Sequence, residues 1–288
     1  TSQLVTELTD EVRADNLRAL LLSALTQAGS AAPTVVLMED AQWFDSPSLA
    51  LLVAAVRNVP ALLFVVTSRK REDPPADHAA LAGLAGAAHL TLRSLEPEAV
   101  DQLLAARLGV RTLPEPVRAL VRERAAGNPF YSEELGYALR DYGLIVVEQE
   151  RCRVADPARE LAAAFTEALA SKGLPATVQG VVTSRIDRLG QAEQFVVRVA
   201  SVIGRSFSVA MLGEIHPALV PAAALDASLA ALTERDIVRP EAGGGEPRYT
   251  FRHAITQQVA YDLTPYAQRR DLHRAVGEWL EARHAADL

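Results

Sequence analysis

The sequence is poor in the residues that several common kinds of functional site require. It has one cysteine, Cys152, among 288 residues, so an internal disulfide or a zinc site made of cysteines is excluded. A single cysteine suits a reducing compartment, and we therefore expect a cytoplasmic protein. The six histidines are scattered along the chain without the spacing of metal ligands.

Long apolar runs are also missing. The longest apolar stretches lie around residues 35–38 and 61–66, whereas a helix that crosses a bilayer needs about 20 apolar residues. No signal peptide is expected at the start. The net charge of −7 provides no general attraction to nucleic acids or anionic membranes. The sequence thus predicts a protein without a membrane partner, with ample apolar material for a core at 49% hydrophobic residues.

Lysine is scarce as well, and its scarcity excludes a phosphate-binding loop within these residues. Such a loop has the form G-x-x-x-x-G-K-[ST], in which glycine amides surround the phosphates and the lysine reaches the β- and γ-oxygens. The two lysines, Lys70 and Lys172, follow an arginine and a serine. The motifs H-E-x-x-H, G-x-S-x-G and G-x-G-x-x-G are absent too.

A strand–helix–strand pattern lies near the start of the chain. Thr34–Met38 is a continuous apolar and β-branched run, which is typical of a strand buried on both faces. A helix that Asp45 or Ser46 caps follows it, and Leu62–Val66 is a second buried run. This spacing predicts a βαβ unit and a parallel sheet.

Polar residues follow both strands. Glu39 and Asp40 come directly after the first, at the sheet edge where ligands bind. One carboxylate there can hold Mg²⁺ through water while its neighbour orients a nucleophilic water. Ser68 and Arg69 follow the second strand, and a guanidinium can bond two γ-phosphate oxygens at once. The alternatives are acids that only end a strand and a solvated polar loop.

Two later segments combine residues that are typical of turns with aromatic or basic residues. Residues 127–131, GNPFY, form either a structural turn between helices or a rigid turn that packs against a nucleotide base. His253 follows a predicted hairpin, 237–239 and 248–251, after short helices over 176–234, a pattern typical of a winged helix. A lone histidine is most often a capping or core residue, with ligand contact as the alternative.

The rest of the sequence is mostly helical in pattern. It predicts a short strand over 89–92, an alternating segment over 144–154 that resembles one arm of a hairpin, a final amphipathic helix from about Pro265, and helices over 11–28, 114–126, 129–141 and 158–171.

Taken in order, these segments resemble signal-transduction ATPases of the STAND type. Residues 35–45 resemble the extended Walker B segment of that family, and residues 67–69 resemble its sensor on the next strand. Residues 127–135 are similar to the G-N-P-F segment of the helical lid, and residues 174–189 and 251–261 resemble the winged-helix segment. The resemblance is strongest to modules fused to class III adenylate/guanylate cyclase domains, and somewhat weaker to those of LuxR-type regulators.

The resemblance implies ATP or ADP and Mg²⁺ as cofactors of the complete protein. Glu39 would assist Mg²⁺ binding through water, and Asp40 would share that role and position the attacking water. Arg69, beside Ser68, would sense the γ-phosphate.

Pro129 would lie near the adenine, and His253 would contact the β-phosphate of bound ADP. Gln42 departs from the family pattern, in which histidine is commoner at that position.

The resemblance also implies a fold that is α/β first and mostly α afterwards. Its regions would be a partial P-loop NTPase core over 1–93, a helical lid over 94–172, a winged-helix domain over 173–264 and the first helix of a helical-repeat region over 265–288. Because the phosphate loop is missing, we expect it upstream of Thr1, so that the chain is an interior fragment and hydrolysis belongs to the complete protein.

Three functions stay open at this point. The first is an ATP/ADP switch that regulates an attached or partner effector domain through downstream helical repeats. The second is a DNA-binding transcriptional regulator, and the third is a non-catalytic interaction module. The helix predicted over 221–234 is rich in alanine and is followed by arginine only at Arg235, which is a poor surface for reading bases. The sequence therefore argues against DNA as a partner.

Overall fold

A computed structural model describes residues 9–59, 61–69, 80–81, 83–84, 86–171, 177–215, 222–242 and 245–284. The chain divides into two compact units, residues 1–92 and residues 93–288. None of the described helices combines the length and apolarity that a membrane span requires. Lys70, Lys172, residues 174–176 and the glycines at 243–244 lie outside the described residues.

The described residues of the first unit form two α-helices and two parallel strands. They are α1 (Asp10–Ala31), β1 (Thr34–Met38), α2 (Ser46–Asn58) and β2 (Leu62–Val66). Thr34 pairs with Leu62 and Met38 pairs with Val66, so both strands reach their carboxyl ends at the same edge. The predicted strand bounds and the parallel pairing are thus confirmed.

Local signals explain where α2 begins. Asp45 accepts a hydrogen bond from the backbone N–H of Ser48 at 2.9 Å, and Pro47 suits the first turn. The hydrogen bonds from the Ser48 side chain and backbone hold the pKa of Asp45 below its usual value. The helix buries Leu49, Leu52 and Ala55.

The strands differ from the prediction in their burial. Val35 and Leu37 in β1 and Leu63 and Val65 in β2 are 41% to 62% exposed, while the residues between them are half-buried. Burial on both faces was predicted, but the described residues of this unit cover one face of the sheet only.

The predicted strand over 89–92 is wrong. These residues form no strand, and Leu90 and Leu92 are more than nine-tenths exposed, at 93% and 96%.

The second unit is mainly helical. Its elements are α3 (Pro97–Leu108), α4 (Glu115–Ala125), α5 (Pro129–Asp141), β3 (Ile145–Glu148), β4 (Arg151–Val154), α6 (Leu161–Ala170), α7 (Val178–Asp187), α8 (Gln191–Ile203), β5 (Ser206–Ser208), α9 (Val209–Ile215), α10 (Ala222–Glu234), β6 (Val238–Pro240), β7 (Arg248–Phe251), α11 (Ala254–Asp262) and α12 (Tyr266–Arg283).

The first half of this unit, α3 to α6, surrounds one hydrophobic core. Its fully buried side chains include Leu104, Val117, Leu135 and Phe165. Helix α5 lies at the centre, and every side chain from 131 to 139 is buried. The strands β3 and β4 form a hairpin beside it, so the segment that was predicted as one arm contains both.

The second half has a separate core around a three-stranded antiparallel sheet. The strand order is β5–β7–β6, and Ile186, Phe207, Leu229 and Phe251 are buried against it. The chain order is helix α8, strand β5, helices α9 and α10, and then the hairpin β6–β7. Helix α12 packs against α8 and α9 and contributes the buried Leu272.

Candidate functional site

Hydrogen bonds join the ends of β1 and β2. The N–H of Thr67 donates to the Met38 carbonyl at 2.9 Å, and the N–H of Ala41 donates to the Thr67 carbonyl at 2.9 Å. The Thr67 hydroxyl accepts from the N–H of Asp40 at 3.2 Å. This pairing continues the sheet past its last ladder residues and places Glu39 and Asp40 beside the segment 67–69.

The backbone turns sharply at Asp40. This residue has φ 55° and ψ 40°, the left-handed conformation that aspartate adopts more readily than most residues. A 3₁₀ turn over Ala41–Trp43 follows it. Glu39, Asp40, Ser68 and Arg69 are all exposed at this edge, so their side chains are accessible to a ligand.

The side chain of Gln42 joins the two strand ends. Its Nε2 donates to Asp40 Oδ1 at 2.8 Å, and its Oε1 accepts from the backbone N–H of Arg69 at 3.0 Å. Gln42 is only 7% exposed, although it lies among exposed residues. Four of the residues singled out from the sequence, Glu39, Asp40, Ser68 and Arg69, therefore share one edge, and a residue whose role the sequence left open joins them.

The oxygens at this edge suit a hard cation. Mg²⁺ usually keeps several waters and takes one or two carboxylates together with substrate phosphates. Two adjacent carboxylates, Glu39 and Asp40, match that donor set. The described residues contain no cluster of three or more side chains placed to hold a metal by themselves.

A second group of the predicted residues lies at the start of α5, in the other unit. Gly127 has φ +77°, and its carbonyl accepts from the N–H of Leu95 at 2.8 Å. Asn128 caps the helix by accepting from the N–H of Tyr131 at 3.1 Å. Pro129 is the exposed first residue of α5.

His253 lies against the same helix. Its ring centroid is 4.4 Å from that of Phe130, and its Nε2 is 3.5 Å from Oε2 of Glu133. Pro129 and His253, which are distant in sequence, are therefore neighbours around the first turn of α5. His253 also ends the extended segment before α11.

Glu133 is a buried carboxylate surrounded by basic side chains. Arg107 Nε lies 3.1 Å from its Oε1, and Arg252 Nε lies 3.9 Å from its Oε2. Burial favours the protonated form, but His253 and Arg107 outweigh it and hold the pKa of Glu133 below its usual value. Glu133 was not predicted from the sequence, because its spacing of three and four residues from Phe130 and Tyr137 places it on one helix face with them but does not show which basic side chains it meets.

Buried polar contacts also join α5 to the second core. Arg185 in α7 donates to Oε1 of Glu134 at 2.6 Å and to the carbonyl of Arg235 at 2.6 Å. The Tyr137 hydroxyl donates to Asp236, and burial together with Asp236 raises the Tyr137 pKa. These bonds connect the helix that begins at Pro129 with the hairpin that ends beside His253.

Comparison with known proteins finds a matching family model, related proteins and a solved structure. Residues 96–153 match the family described as "Domain of unknown function (DUF8739)". Adenylate cyclase type 10 of Rattus norvegicus is 23% identical over 228 residues, which cover 70% of this chain and 14% of that protein. Uncharacterized protein R02095 of Rhizobium meliloti (strain 1021) is 27% identical over 259 residues, or 88% of this chain and 23% of that protein.

The third result concerns a solved structure. The crystal structure of a Signal Transduction ATPase with Numerous Domains (STAND) protein with a tetratricopeptide repeat sensor, from Pyrococcus horikoshii, aligns with a TM-score of 0.51 and 13% identity. The alignment covers 93% of this chain and 33% of that one. The chain therefore shares the fold of part of a STAND ATPase, and it spans less than a quarter of the two relatives above.

Proposed function

We propose that this chain is the part of a signal-transduction ATPase that carries the catalytic acids and the nucleotide-sensing helices. In the complete protein it would act as an ATP/ADP switch that regulates an effector domain. The observation that carries this proposal is the edge of β1 and β2, where Gln42 links the carboxylate of Asp40 to Arg69. The shared fold with a STAND ATPase and the similarity to part of adenylate cyclase type 10 support it.

Each residue at the edge has a chemical task in this proposal. Glu39 and Asp40 would hold Mg²⁺ through water, and Asp40 would also orient the water that attacks the γ-phosphate. Ser68 donates a hydrogen bond and Arg69 two parallel ones to γ-phosphate oxygens. When bound, Mg²⁺ neutralises charge on the phosphates.

We place the missing phosphate loop on a strand outside these 288 residues. The exposed apolar face formed by Val35, Leu37, Leu63 and Val65 supports this placement. Strands of parallel sheets are normally covered on both faces, so this surface suits contact with further sheet and helix.

For the second unit we propose a helical lid, α3 to α6, and a winged helix built on α8 to β7. The order of helix, strand, two helices and hairpin is the order of a winged helix. Pro129 would contact the adenine and His253 the β-phosphate of ADP. Because His253 already lies 3.5 Å from Glu133, a phosphate would compete with this carboxylate for the imidazole.

DNA recognition through α10 is not favoured. The exposed positions of this helix with described side chains are Asp226, Ala227, Ala230 and Glu234. The two acids repel DNA phosphates. The two alanines have no hydrogen-bonding groups with which to read bases. The partner we propose is instead an effector domain, attached or separate, contacted through helical repeats that follow α12.

The test is ATP turnover by the full-length protein with Asp40→Asn. This change keeps the size of the side chain and removes the charge that orients the water. We expect kcat to fall by about 10²-fold or more, with binding of ATP changed only slightly. Asp226→Asn removes the same charge from α10 and serves as the control with wild-type turnover. Unchanged kcat in Asp40→Asn would instead remove Asp40 from catalysis, and a wild-type protein without ATP turnover would support a non-catalytic interaction module.

A further inference from the structure

We propose that Gln42 is a positioning residue for the ATPase site, because its side-chain amide fixes the Asp40 carboxylate and the Arg69 backbone relative to each other. This inference rests on the proposed function and deepens it. Gln42 does not contact the phosphates in this scheme. It acts through Asp40, which orients water, and through Arg69, which senses the γ-phosphate.

The burial of Gln42 is the first step of the argument. Burying a side-chain amide is unfavourable unless both its oxygen and its nitrogen find hydrogen-bond partners. Gln42 is 7% exposed, and its two ends meet one partner each, Asp40 Oδ1 at 2.8 Å and the Arg69 N–H at 3.0 Å. One partner follows β1 and the other follows β2. The side chain therefore bridges two strand ends that are 27 residues apart in sequence.

The chemistry of the partners determines which way the amide points. The backbone N–H of Arg69 can only donate, and an ionised carboxylate on Asp40 can only accept. The amide oxygen must therefore face Arg69 and the amide nitrogen must face Asp40. A side chain that only donates or only accepts can satisfy one of these partners but not both.

The bridge also orients the proposed base. The hydrogen bond from Gln42 occupies Oδ1 of Asp40 and prevents rotation of the carboxylate. Oδ2 is then directed to accept a hydrogen bond from the attacking water. Loss of the bridge would let the carboxylate rotate, which lowers the fraction of time in which the water is aligned.

Histidine provides a reporter for this bridge. A neutral imidazole has one donor and one acceptor, as the amide does. Gln42→His should therefore keep both hydrogen bonds, whereas Gln42→Ala loses both.

Hydrogen exchange in the full-length protein, with no nucleotide added, tests the bridge. In the wild type we expect the Arg69 N–H to be protected, and in Gln42→Ala to exchange at least about tenfold faster, because its acceptor is gone. Gln42→Glu retains an acceptor and should keep the protection. Gln194→Ala, in α8, is the control with unchanged exchange at Arg69. The N–H groups of Leu63 and Val65, which face β1, report whether the β1–β2 sheet stays intact, and unchanged exchange at Arg69 in Gln42→Ala would overturn the bridge.

Turnover by the full-length protein tests the functional part. We expect Gln42→Ala to lower kcat about tenfold with little change in KM, because the interaction acts in the transition state. In an Asp40→Asn background the same substitution should have little further effect, since Gln42 acts through Asp40. Gln42→His should restore much of the wild-type kcat that Gln42→Ala loses, because a neutral imidazole also has one donor and one acceptor.

The outcomes separate the two proposals. If Asp40→Asn does not change turnover, the proposed function is wrong, whatever Gln42 does. If Asp40→Asn lowers turnover but Gln42→Ala matches the wild type, the ATPase assignment stands and the role of Gln42 is overturned. An equal loss from Gln42→Ala in both backgrounds would also overturn it, since Gln42 would then act independently of Asp40.

Discussion

Gly127 shows how a single residue shapes the proposed nucleotide-binding region. Its positive φ of +77° ends the segment after α4 and aims the chain into the cap of α5. A Cβ at this position would lie 2.5 Å from the carbonyl oxygen of Leu95, which is closer than a real Cβ approaches backbone. The residue therefore has to be glycine for two separate reasons, conformation and space.

Replacement of Gly127 by alanine should separate these reasons. We expect a loss of about 2–4 kcal/mol in the free energy of unfolding, because backbone strain and a collision with Leu95 add. Gly109→Ala is the matched control, since Gly109 has φ +67° and open space around it, and it should lose only about 1–2 kcal/mol. Urea denaturation of both variants measures the difference, and equal losses would show that the collision relaxes without cost.

At the scale of an element, α5 connects the two cores of the second unit. It buries the side chains from 131 to 139, including two adjacent glutamates. Glu134 bonds Arg185 of α7, while Glu133 faces Arg107 and His253. A helix whose acids are bonded in this way loses stability when a partner is removed, because an uncompensated charge stays buried.

Glu133 should make the stability of this region depend on pH. Its folded pKa lies below the ordinary value of 4.5, so the folded state favours the charged form. The stabilisation is fully present above pH 4.5 and is lost as the pH falls below that value, through the lower folded pKa. Urea unfolding between pH 3 and pH 7 measures this slope.

Glu133→Gln should flatten the slope, because the amide does not titrate. Glu123→Gln, an exposed residue of α4, is the control and should keep the slope of the wild type. A slope that is identical in Glu133→Gln and the wild type would show that other carboxylates cause the acid sensitivity.

At the scale of the whole molecule, the two units differ in how well they bury apolar surface. Both hydrophobic cores contain residues of the second unit only. The first unit exposes one face of a two-stranded sheet. Two parallel strands with an uncovered face are marginal by themselves.

Residues 93–288 should therefore fold without the first unit. We expect a helical circular dichroism spectrum and a cooperative thermal transition from this fragment. Residues 1–92 expressed alone should lack a cooperative transition. A non-cooperative unfolding curve for 93–288 would show that its cores need the first unit.

Strands were predicted accurately from the sequence where the pattern that indicates them lies within the strand itself. Continuous β-branched runs predicted β1 and β2 to the residue, and the predicted β6 strand is displaced by one position. Strand β5 was missed because its three residues, Ser206, Phe207 and Ser208, include only one apolar side chain. The strand expected over 89–92 was wrong because an apolar alternation alone does not provide a partner strand.

The candidate site was predictable only in part for the same reason. Acids after a buried strand and an arginine after the next one are visible as patterns, because parallel strands bring their carboxyl ends to one edge. Gln42 carries no such signal, since an uncharged amide is compatible with a loop, a helix or a core. Glu133 looked like an ordinary helical acid until its neighbours were known.

The sequence by itself determined most of the local elements, the absence of a phosphate loop within these residues and the lack of a metal site made of cysteines, because each depends on residue type and spacing. Only the tertiary structure decided which polar groups meet. Gln42 reaches Arg69, and Glu133 reaches His253, across long stretches of chain. Such contacts depend on how helices and strands pack, and the free energy of burying an amide or a carboxylate is then set by the partner that packing provides.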